Sequence, residues 1–328
     1  MSLTFILSLF GCLPLIATYI LLAMRQSWWE VLLVQYKPHL ALTYFICTVF
    51  FALSGFVLYA LFPLLLFLYF SAPYFAKIRW SRGHRTEVVG SDNQLRIFFA
   101  NVNASNRKVD RVIEAIKQTS PNLLILIECS PELHTLLTEG MEDTLLPHRS
   151  YHIYRGERFG VMLWSQFPLE DVVKRTDESH PNQASLVATL SHHSQTIRLI
   201  IAHPLSPERP WWVEPRREYV LNTADEARLS EVGGVIVVGD LNATPWDPLF
   251  SDLLKVSGLH DARRGFGYVG TWPTLFPPML IPLDHLLVSD DIEVTNFRRG
   301  KRIGSDHWPL EVALTLMKFK SEEEKATI

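Results

Sequence analysis

Residues 234–243 read GVIVVGDLNA, a short apolar run that passes directly into polar side chains. The run Gly234–Val238 is rich in β-branched residues, which predicts a buried strand. Asp240 and Asn242 follow it at once. In isolation, this Asp-Leu-Asn segment with Pro245 after it is typical of an Asx turn or a helix N-cap. A functional interpretation therefore requires similar polar groups at the ends of other strands.

The same arrangement recurs along the chain. The polar groups that lie close to the ends of strand-like runs are Asn101, Glu128, His203, Asp240 with Asn242, Asp284, and Asp306 with His307. Active sites of layered α/β proteins collect at strand ends. Together these groups supply a hard oxygen ligand for Mg²⁺ or Mn²⁺, a base that aims water, and donors for phosphoryl oxygens. The set predicts a phosphoesterase site.

Each group taken alone has a simpler explanation. Glu128 could be a surface charge at a strand end, and His203 could be a hydrogen-bonded, half-buried histidine. Asp284 could be a polar residue of a turn. Cys129, next to Glu128, is interpreted as a small core residue rather than a nucleophile. The ordered series, and not any single member, favours catalysis.

The order of these motifs resembles the endonuclease/exonuclease/phosphatase superfamily, which has the DNase I-like fold. The resemblance runs from about Leu95 to Leu314. Its anchors are Asn101-Val102, Leu126-Ile127-Glu128, Phe159-Gly160-Val161 through Ser165 and Pro168, Ala202-His203, GDLNA at 239–243, Leu283-Asp284-His285 and GSDHWPL at 304–310. GDLNA and GSDHWPL are specific as a pair. The GTWP segment at 270–273 is similar to the bacterial membrane-anchored branch, in which hydrophobic helices precede this domain.

The resemblance implies a four-layer α/β/β/α sandwich and a role for each matching residue. Glu128 would bind the metal, Mg²⁺ or Mn²⁺. Asp240 would orient and deprotonate the attacking water. Asn242 and Asn101 would hold the water, the metal environment or the phosphate.

The remaining matches concern the phosphoryl group. His307 would donate to a phosphoryl oxygen, and Asp284 would fix its tautomer and favour the imidazolium. His203 matches a position where family members use a histidine near the phosphate or the leaving group. Asp306 would hold a water or a metal ligand.

Two positions depart from the family pattern. Leu126-Ile127 precedes Glu128 where many relatives have a glutamine, so one contact behind the metal ligand is missing. Asn103 falls where some nuclease members carry an aspartate. This second departure weakens the prediction of a further metal ligand and of nuclease activity.

The soluble part is predicted to be one catalytic domain over residues 95–316. Its strand-like runs outnumber its helical stretches, which favours a mixed sheet sandwich covered by helices. Its first unit is strand, helix, strand, with the helix repeat between Val109 and Ile116 ended by Pro121. The strand-like runs are Leu95–Ala100, Leu123–Ile127, Gly160–Trp164, Ser185–Leu190, Ile197–Ala202, Gly234–Val238, Leu283–Val288 and Leu310–Leu314, and a helix is expected from Pro215 to the glycines at 233–234.

Residues 1–76 are predicted to be a membrane anchor, because Arg25, Glu30 and Lys37 are their only charged residues. Two or three transmembrane helices are expected, with a break at Ser54-Gly55. The expected spans are about 3–23, 40–56 and 57–75. A cleaved signal peptide is the alternative for the first span, but a basic n-region is lacking.

The segments that flank the catalytic domain carry the topology signal. Lysine and arginine recur after the last apolar tract, at Lys77, Arg79, Arg82 and Arg85. Such an excess marks the cytoplasmic side. The chain is therefore expected in the cell (inner) membrane as a multi-pass protein with a cytoplasmic catalytic domain. Residues 77–94 are interpreted as a basic juxtamembrane segment and linker that lets the domain fold without its helices, and residues 317–328 as a disordered tail.

Substrate choice depends on the loops between the motifs, so the phosphoester could be a lipid headgroup, a nucleic acid or a small metabolite. The anchor carries +1 of a total charge of −3, so the remainder carries −4, which disfavours a dedicated nucleic-acid-binding module. The bilayer is the other expected partner, and no protein partner is predicted. The basic cluster at 298–302 is either a solvated loop or a lip that steers an anionic substrate. The alternative function is a non-enzymatic membrane protein whose domain binds anionic phospholipid or a protein partner.

Overall fold

The computed structural model describes residues 14–23, 27–77, 94–153, 160–176, 184–192, 195–230 and 233–316. The predicted tail at 317–328 and nearly all of the predicted linker at 77–94 lie outside the described residues.

Four helices form the N-terminal part of the described chain. They are α1 (Pro14–Ala23), α2 (Trp28–Val34), α3 (Lys37–Leu53) and α4 (Val57–Lys77). Helices α3 and α4 pack side by side as a hairpin, in which the rings of Tyr44 and Phe70 stack 6.1 Å apart. The hairpin turns at Ser54-Gly55, where Gly55 has a φ of +80° that favours glycine. The long apolar tract thus divides at the position where the sequence suggested a break.

Length and composition give a mixed answer for membrane crossing. Among the described helices, none is by itself long and apolar enough to cross a bilayer. The pair α2 and α3 meets both requirements when taken together, but the two helices are bent by 69° at their junction. Pro14–Ala23 and Val57–Ala72 are shorter apolar helices.

Two six-stranded mixed sheets form the centre of the catalytic domain. The first contains β1 (Gln94–Asn101), β2 (Leu123–Ile127), β3 (His148–Ile153), β4 (Gly160–Ser165), β11 (Ile292–Arg299) and β12 (Leu310–Leu316), in the order β11-β12-β1-β2-β4-β3. The second contains β5 (Leu169–Thr176), β6 (Ala184–His192), β7 (Gln195–His203), β8 (Gly234–Asp240), β9 (His260–Asp261) and β10 (Asp284–Val288), in the order β5-β6-β7-β8-β10-β9.

Helices cover the outer face of each sheet. Helices α5 (Val109–Thr119) and α6 (Pro131–Gly140) pack on the first sheet, and α7 (Val213–Arg228) and α8 (Pro248–Ser257) pack on the second. Apolar side chains from the facing sheets fill the space between them. Both faces of the central strands are therefore buried, which explains their continuous apolar runs. The predicted four-layer α/β/β/α sandwich is confirmed.

The strand directions bring the polar residues that follow the apolar runs to one end of the sandwich. Strand β1 runs parallel to β2 through α5, and β7 runs parallel to β8 through α7, so four carboxyl ends meet there. Strand β10 is antiparallel to β8 and begins at that same end, with Asp284 opposite Asp240 in register. Strand β12 is antiparallel to β1, and the segment before it carries His307. The topology gathers residues that lie far apart in the sequence.

Several elements differ from the sequence prediction. The polar strands β3, β5 and β11 and the helices α6 and α8 were not predicted; most of β5 is exposed, so it lacks a long apolar run. Helix α7 runs from Val213 to Arg228: it begins two residues before the predicted start, with Pro215 in its first turn, and it ends before the glycines at 233–234. Cys129 is fully buried in the core, as the sequence predicted.

Candidate active site

The first sheet contributes a bridged amide and carboxylate. Glu128 directly follows β2 and has a φ of +54°, which turns the chain away from the strand direction. The Asn101 amide nitrogen donates to Oε1 of Glu128 at 2.8 Å and to Oδ2 of Asp240 at 3.2 Å. Asn101 therefore connects the two sheets across the site.

The second sheet contributes Asp240, Asn242 and His203. The Asn242 backbone N–H donates to Oδ1 of Asp240 at 3.0 Å, and Asn242 has a φ of +50°. The Asx turn suggested by the sequence is thus present, and it fixes one Asp240 oxygen. The Asn242 amide donates to the Pro204 carbonyl at 3.0 Å, next to His203. Nε2 of His203 lies 3.6 Å from Oε1 of Glu128.

His307 and Asp284 form a buried pair between the sheets. Nδ1 of His307 donates to Oδ2 of Asp284 at 2.8 Å, and Nε2 of His307 lies 3.6 Å from Oδ2 of Asp240. Ser305 fixes this segment, because its hydroxyl donates to the Asn101 carbonyl at 2.8 Å and accepts from the His307 backbone N–H at 3.0 Å. The imidazole is held between two carboxylates.

Asp306 is held differently from its neighbour. The Asn103 amide donates to its Oδ1 at 2.7 Å, and the Trp272 indole donates to its Oδ2 at 3.1 Å. Burial raises the pKa of Asp306, but these two hydrogen bonds and the charge of His307 outweigh burial and lower it overall. Asn103, which departs from the nuclease pattern, serves in this chain to hold Asp306.

Burial and charge set opposite protonation states within the site. Burial raises the pKa of Asp240 to about 6, although nearby His307 opposes the shift. Burial also disfavours the imidazolium of His307, but Asp284 and Asp240 outweigh it and raise the pKa of His307 to about 10. Burial lowers the pKa of His203 and raises that of Glu128. At neutral pH the geometry therefore pairs an ionised Asp240 with a protonated His307.

The residues at this end of the sandwich fit a divalent cation. Four acidic side chains, those of Glu128, Asp240, Asp284 and Asp306, lie around the His307 imidazole, and their oxygens are of the kind that Mg²⁺ and Mn²⁺ prefer. One set, Asp240, Asp284 and His307, has ligand atoms within 4.8 Å of one another. Nδ1 of His307 is bonded to Asp284 at 2.8 Å, so in this set His307 has only Nε2 to offer a metal.

A network links this site to the N-terminal helices. The Gln35 side chain accepts from the Thr244 backbone N–H at 2.8 Å and donates to Oδ2 of Asp247 at 2.8 Å. Arg216 joins the same Asp247 oxygen at 3.0 Å and donates to the Asn242 carbonyl at 2.8 Å. Gln35 is buried between α2 and α3, so the helix junction is tied to the loop that carries Asn242.

Sequence reasoning missed these supporting residues. Trp272 was noted only as part of a family resemblance, and Gln35 and Arg216 were not singled out. A glutamine directly after the apolar run Val31–Val34 is the signal that could have drawn attention to Gln35. His285 is structural, because its Nε2 donates to the Ala243 carbonyl at 2.7 Å and it is fully buried.

The basic cluster at 298–302 is divided between two environments. Arg298 pairs with Glu311 at 2.7 Å. The guanidinium groups of Arg299 and Arg302 lie 5.1 and 5.7 Å from the ring centre of Trp308, directly after His307. These two cations stand beside the site.

The two packed sheets, with acids and histidines at their shared end, define a DNase I-like α/β sandwich. The model of the Endonuclease/Exonuclease/phosphatase family matches residues 98–307. The chain belongs to this family. A comparison with curated protein sequences finds no match.

Several solved structures have a similar fold. An endonuclease/exonuclease/phosphatase from Beutenbergia cavernae aligns with a TM-score of 0.57 at 17% identity, over 69% of this chain and 72% of the other. TDP2 from D. rerio, complexed with a single-strand DNA product, aligns with a TM-score of 0.56 at 14% identity, over 68% and 99%. Beta toxin from Staphylococcus aureus aligns at 0.51 and 15% identity, over 66% and 99%. At these identities the likeness shows the fold.

Proposed function

We propose that the chain is a membrane-anchored, divalent-metal-dependent hydrolase that cleaves a phosphodiester or phosphomonoester by in-line attack of water. The observation that carries the proposal is the placement of Asp240. Its Oδ2 lies 3.6 Å from Nε2 of His307 and accepts from Asn101, which also holds Glu128. A base, a cationic donor and a carboxylate suited to a metal thus converge on one point.

Each residue has a defined task in this mechanism. Asp240, anchored through Oδ1 by Asn242, orients the water and accepts its proton. His307, kept protonated by Asp284, donates from Nε2 to a phosphoryl oxygen. His203 stands beside Glu128 on the opposite sheet, in reach of the phosphate or the leaving group. Mg²⁺ or Mn²⁺ held by Glu128 would neutralise charge on the phosphoryl group.

The membrane anchor rests on the helical hairpin. Helices α3 and α4 expose large apolar side chains along most of their length, among them Phe45, Phe50, Leu58, Leu61 and Leu65. Such a surface is far larger than soluble monomers usually expose. At about 1.5 Å per residue, α3 extends roughly 25 Å and the apolar part of α4, Val57–Ala72, roughly 24 Å, somewhat less than the hydrocarbon thickness of about 30 Å. The basic residues after α4 favour the cytoplasmic face of the inner membrane.

The test is hydrolysis by the full chain in detergent micelles. Bis-p-nitrophenyl phosphate and p-nitrophenyl phosphate represent the two ester types, assayed with Mg²⁺, with Mn²⁺ and with EDTA. Metal-dependent turnover is expected, with Asp240→Asn lowering it by about 10³-fold or more. Asp252→Asn, an exposed acid on α8, is the matched control and should leave the rate unchanged.

A folded chain that is inactive on both esters with either metal would contradict the enzyme and favour a domain that only binds. The topology is tested separately. A reporter fused after Ile328 should be active in the cytoplasm, and activity on the other side of the membrane would overturn the proposed orientation.

A further inference from the structure

Four large apolar side chains project into solvent from three separate segments near the helix junction. We call them the apolar rim: Trp29, Trp211, Leu275 and Phe276, which are 51%, 65%, 82% and 57% exposed. Trp29 lies on α2, Trp211 in the loop after β7, and Leu275 and Phe276 in the loop between Trp272 and β10. Exposed side chains of this size indicate a surface that meets an apolar partner when they lie in one region of the molecule.

Hydrogen bonds hold each of these segments against the helix junction. The Trp28 indole donates to the Pro207 carbonyl at 2.7 Å, on the loop that carries Trp211. Nε2 of His39, in the first turn of α3, donates to the Pro278 carbonyl at 3.0 Å, two residues after Phe276. The rim is therefore placed at the base of the hairpin that we propose enters the bilayer.

The same segments border the active site. The loop that carries Leu275 and Phe276 is joined to Asp306, whose carbonyl accepts from the Thr274 backbone N–H at 2.8 Å. The loop that carries Trp211 begins directly after His203. Arg209 lies on the same loop as Trp211, with its guanidinium 5.6 and 5.0 Å from the ring centres of Trp211 and Trp212. A cation flanked by tryptophans is suited to the headgroup layer of a membrane.

We infer that the apolar rim rests in the interfacial layer of the bilayer and that the site takes a phosphoester carried by a membrane lipid. This inference rests on the proposed phosphoesterase function and on the proposed anchor. The bilayer is the occupant because hydrogen bonds place the rim at the base of the hairpin, where the exposed apolar side chains of α3 begin at Leu42. Holding the site mouth at that surface raises the effective concentration of a lipid-borne ester over a free one.

The test uses a pair of nitrophenyl phosphoesters that differ only in carrying a methyl or a hexadecyl chain. Both are of the ester type, diester or monoester, that the assay in detergent micelles shows to be cleaved. The full chain is reconstituted in vesicles of phosphatidylethanolamine and phosphatidylglycerol. The wild-type chain is expected to show a kcat/KM at least about tenfold higher for the hexadecyl ester. The double variant Leu275→Ser/Phe276→Ser should lose most of this preference while retaining the rate on the methyl ester.

Two further variants separate a surface effect from a folding effect. Trp211→Ser alters the rim on a different loop and should reduce the hexadecyl preference as well. Leu145→Ser is the matched control, because Leu145 is 79% exposed but lies near Arg96 and Pro121, at the opposite end of the first sheet. It should change neither rate.

The outcomes distinguish the two proposals. Equal wild-type rates on both esters, or a preference that the rim variants leave unchanged, would overturn the lipid inference while the phosphoesterase function stands. A loss in the rim variants that is shared equally by both esters would also overturn it. A wild-type chain that hydrolyses neither ester would instead remove the proposed function itself.

Discussion

Oδ2 of Asp284 lies 2.8 Å from Nδ1 of His307, and the Asp284 side chain is fully buried. Its other oxygen, Oδ1, has no hydrogen-bond partner among the described residues. Asp284 begins β10 of the second sheet, whereas His307 precedes β12 of the first. This pair therefore joins the two sheets, and it sets the charge of the imidazole by burying a carboxylate against it.

Replacing Asp284 with asparagine should shift the alkaline limb of the rate profile. Asp284 and Asp240 raise the pKa of His307 to about 10, so the protonated donor persists well above neutral pH. Without the Asp284 charge, the pKa of His307 falls, and activity should be lost about 1–3 pH units earlier as pH rises. The acid limb, set by the pKa of Asp240 at about 6, should remain near that value or below it.

The measurement is kcat against pH at saturating Mg²⁺. Asp290→Asn is the control, because Asp290 is an exposed acid just after the same strand. An alkaline limb that does not move in Asp284→Asn would remove the assigned role of Asp284.

Glu128→Gln should raise the metal requirement more than it lowers the maximal rate. Glutamine keeps an oxygen that can accept from Asn101 but lacks the charge that attracts a divalent cation. The Mg²⁺ concentration for half-maximal activity is expected to rise on the order of tenfold or more. Calorimetric titration of Mg²⁺ measures the same loss without turnover. Glu132→Gln, exposed on α6, should titrate like the wild type, and identical curves for Glu128→Gln would place the metal elsewhere.

Gln35→Ala should weaken both stability and turnover. It leaves the Thr244 N–H and the Asp247 carboxylate without their amide partner, which costs about 1–3 kcal/mol for a buried group. Because Arg216 links Asp247 to the Asn242 carbonyl, the rate should fall several-fold while the KM for a soluble ester stays similar. Thermal unfolding and steady-state kinetics check both effects. Gln118→Ala, exposed on α5, is the control, and wild-type behaviour of Gln35→Ala would show that the junction is not coupled to the site.

Gly239→Ala should destabilise the domain. A Cβ at Gly239 would lie 1.7 Å from the carbonyl oxygen of Ala202, which is backbone and cannot move aside as a side chain could. The cost is expected to be about 1–3 kcal/mol or more, seen as a lower Tm. Gly234→Ala on the same strand is the comparison, because its Cβ would meet the Ile292 side chain at 3.2 Å. Equal Tm values for the two variants would contradict the close strand contact.

The sequence was sufficient to predict the sandwich and the buried strands that compose it. Buried strands such as β2 and β8 are continuous apolar runs, and a polar residue after such a run marks the end of the strand. The edge strand β5 was missed because its exposed residues are polar and leave no run to detect. Periodicity thus reports burial, and elements that are half exposed give a weak signal.

The site residues, and the pairing of Asp284 with His307, were expected from the order of the motifs and the family resemblance, but the other contacts were not. That Asp284 stands opposite Asp240 follows from strand register, which no local pattern encodes. The docking of Gln35 is a long-range contact between segments about two hundred positions apart, so it was absent from the expectation of a domain independent of its helices. Whether a fragment without α2 and α3 folds and works depends on that contact.

The candidate site is divided between the two sheets. The first sheet supplies Asn101, Glu128 and His307, and the second supplies His203, Asp240 and Asp284. If the sheets kept their own hydrogen bonds but loosened against each other, each half of the site would stay intact. Neither half would be sufficient, because the base, Asp240, and the cationic donor, His307, lie on different sheets. Turnover is therefore a probe of side-chain order between the layers. In mild denaturant, activity should vanish before the far-ultraviolet circular dichroism changes. A state in which the two sheets have loosened against each other keeps its secondary structure but loses fixed side-chain packing.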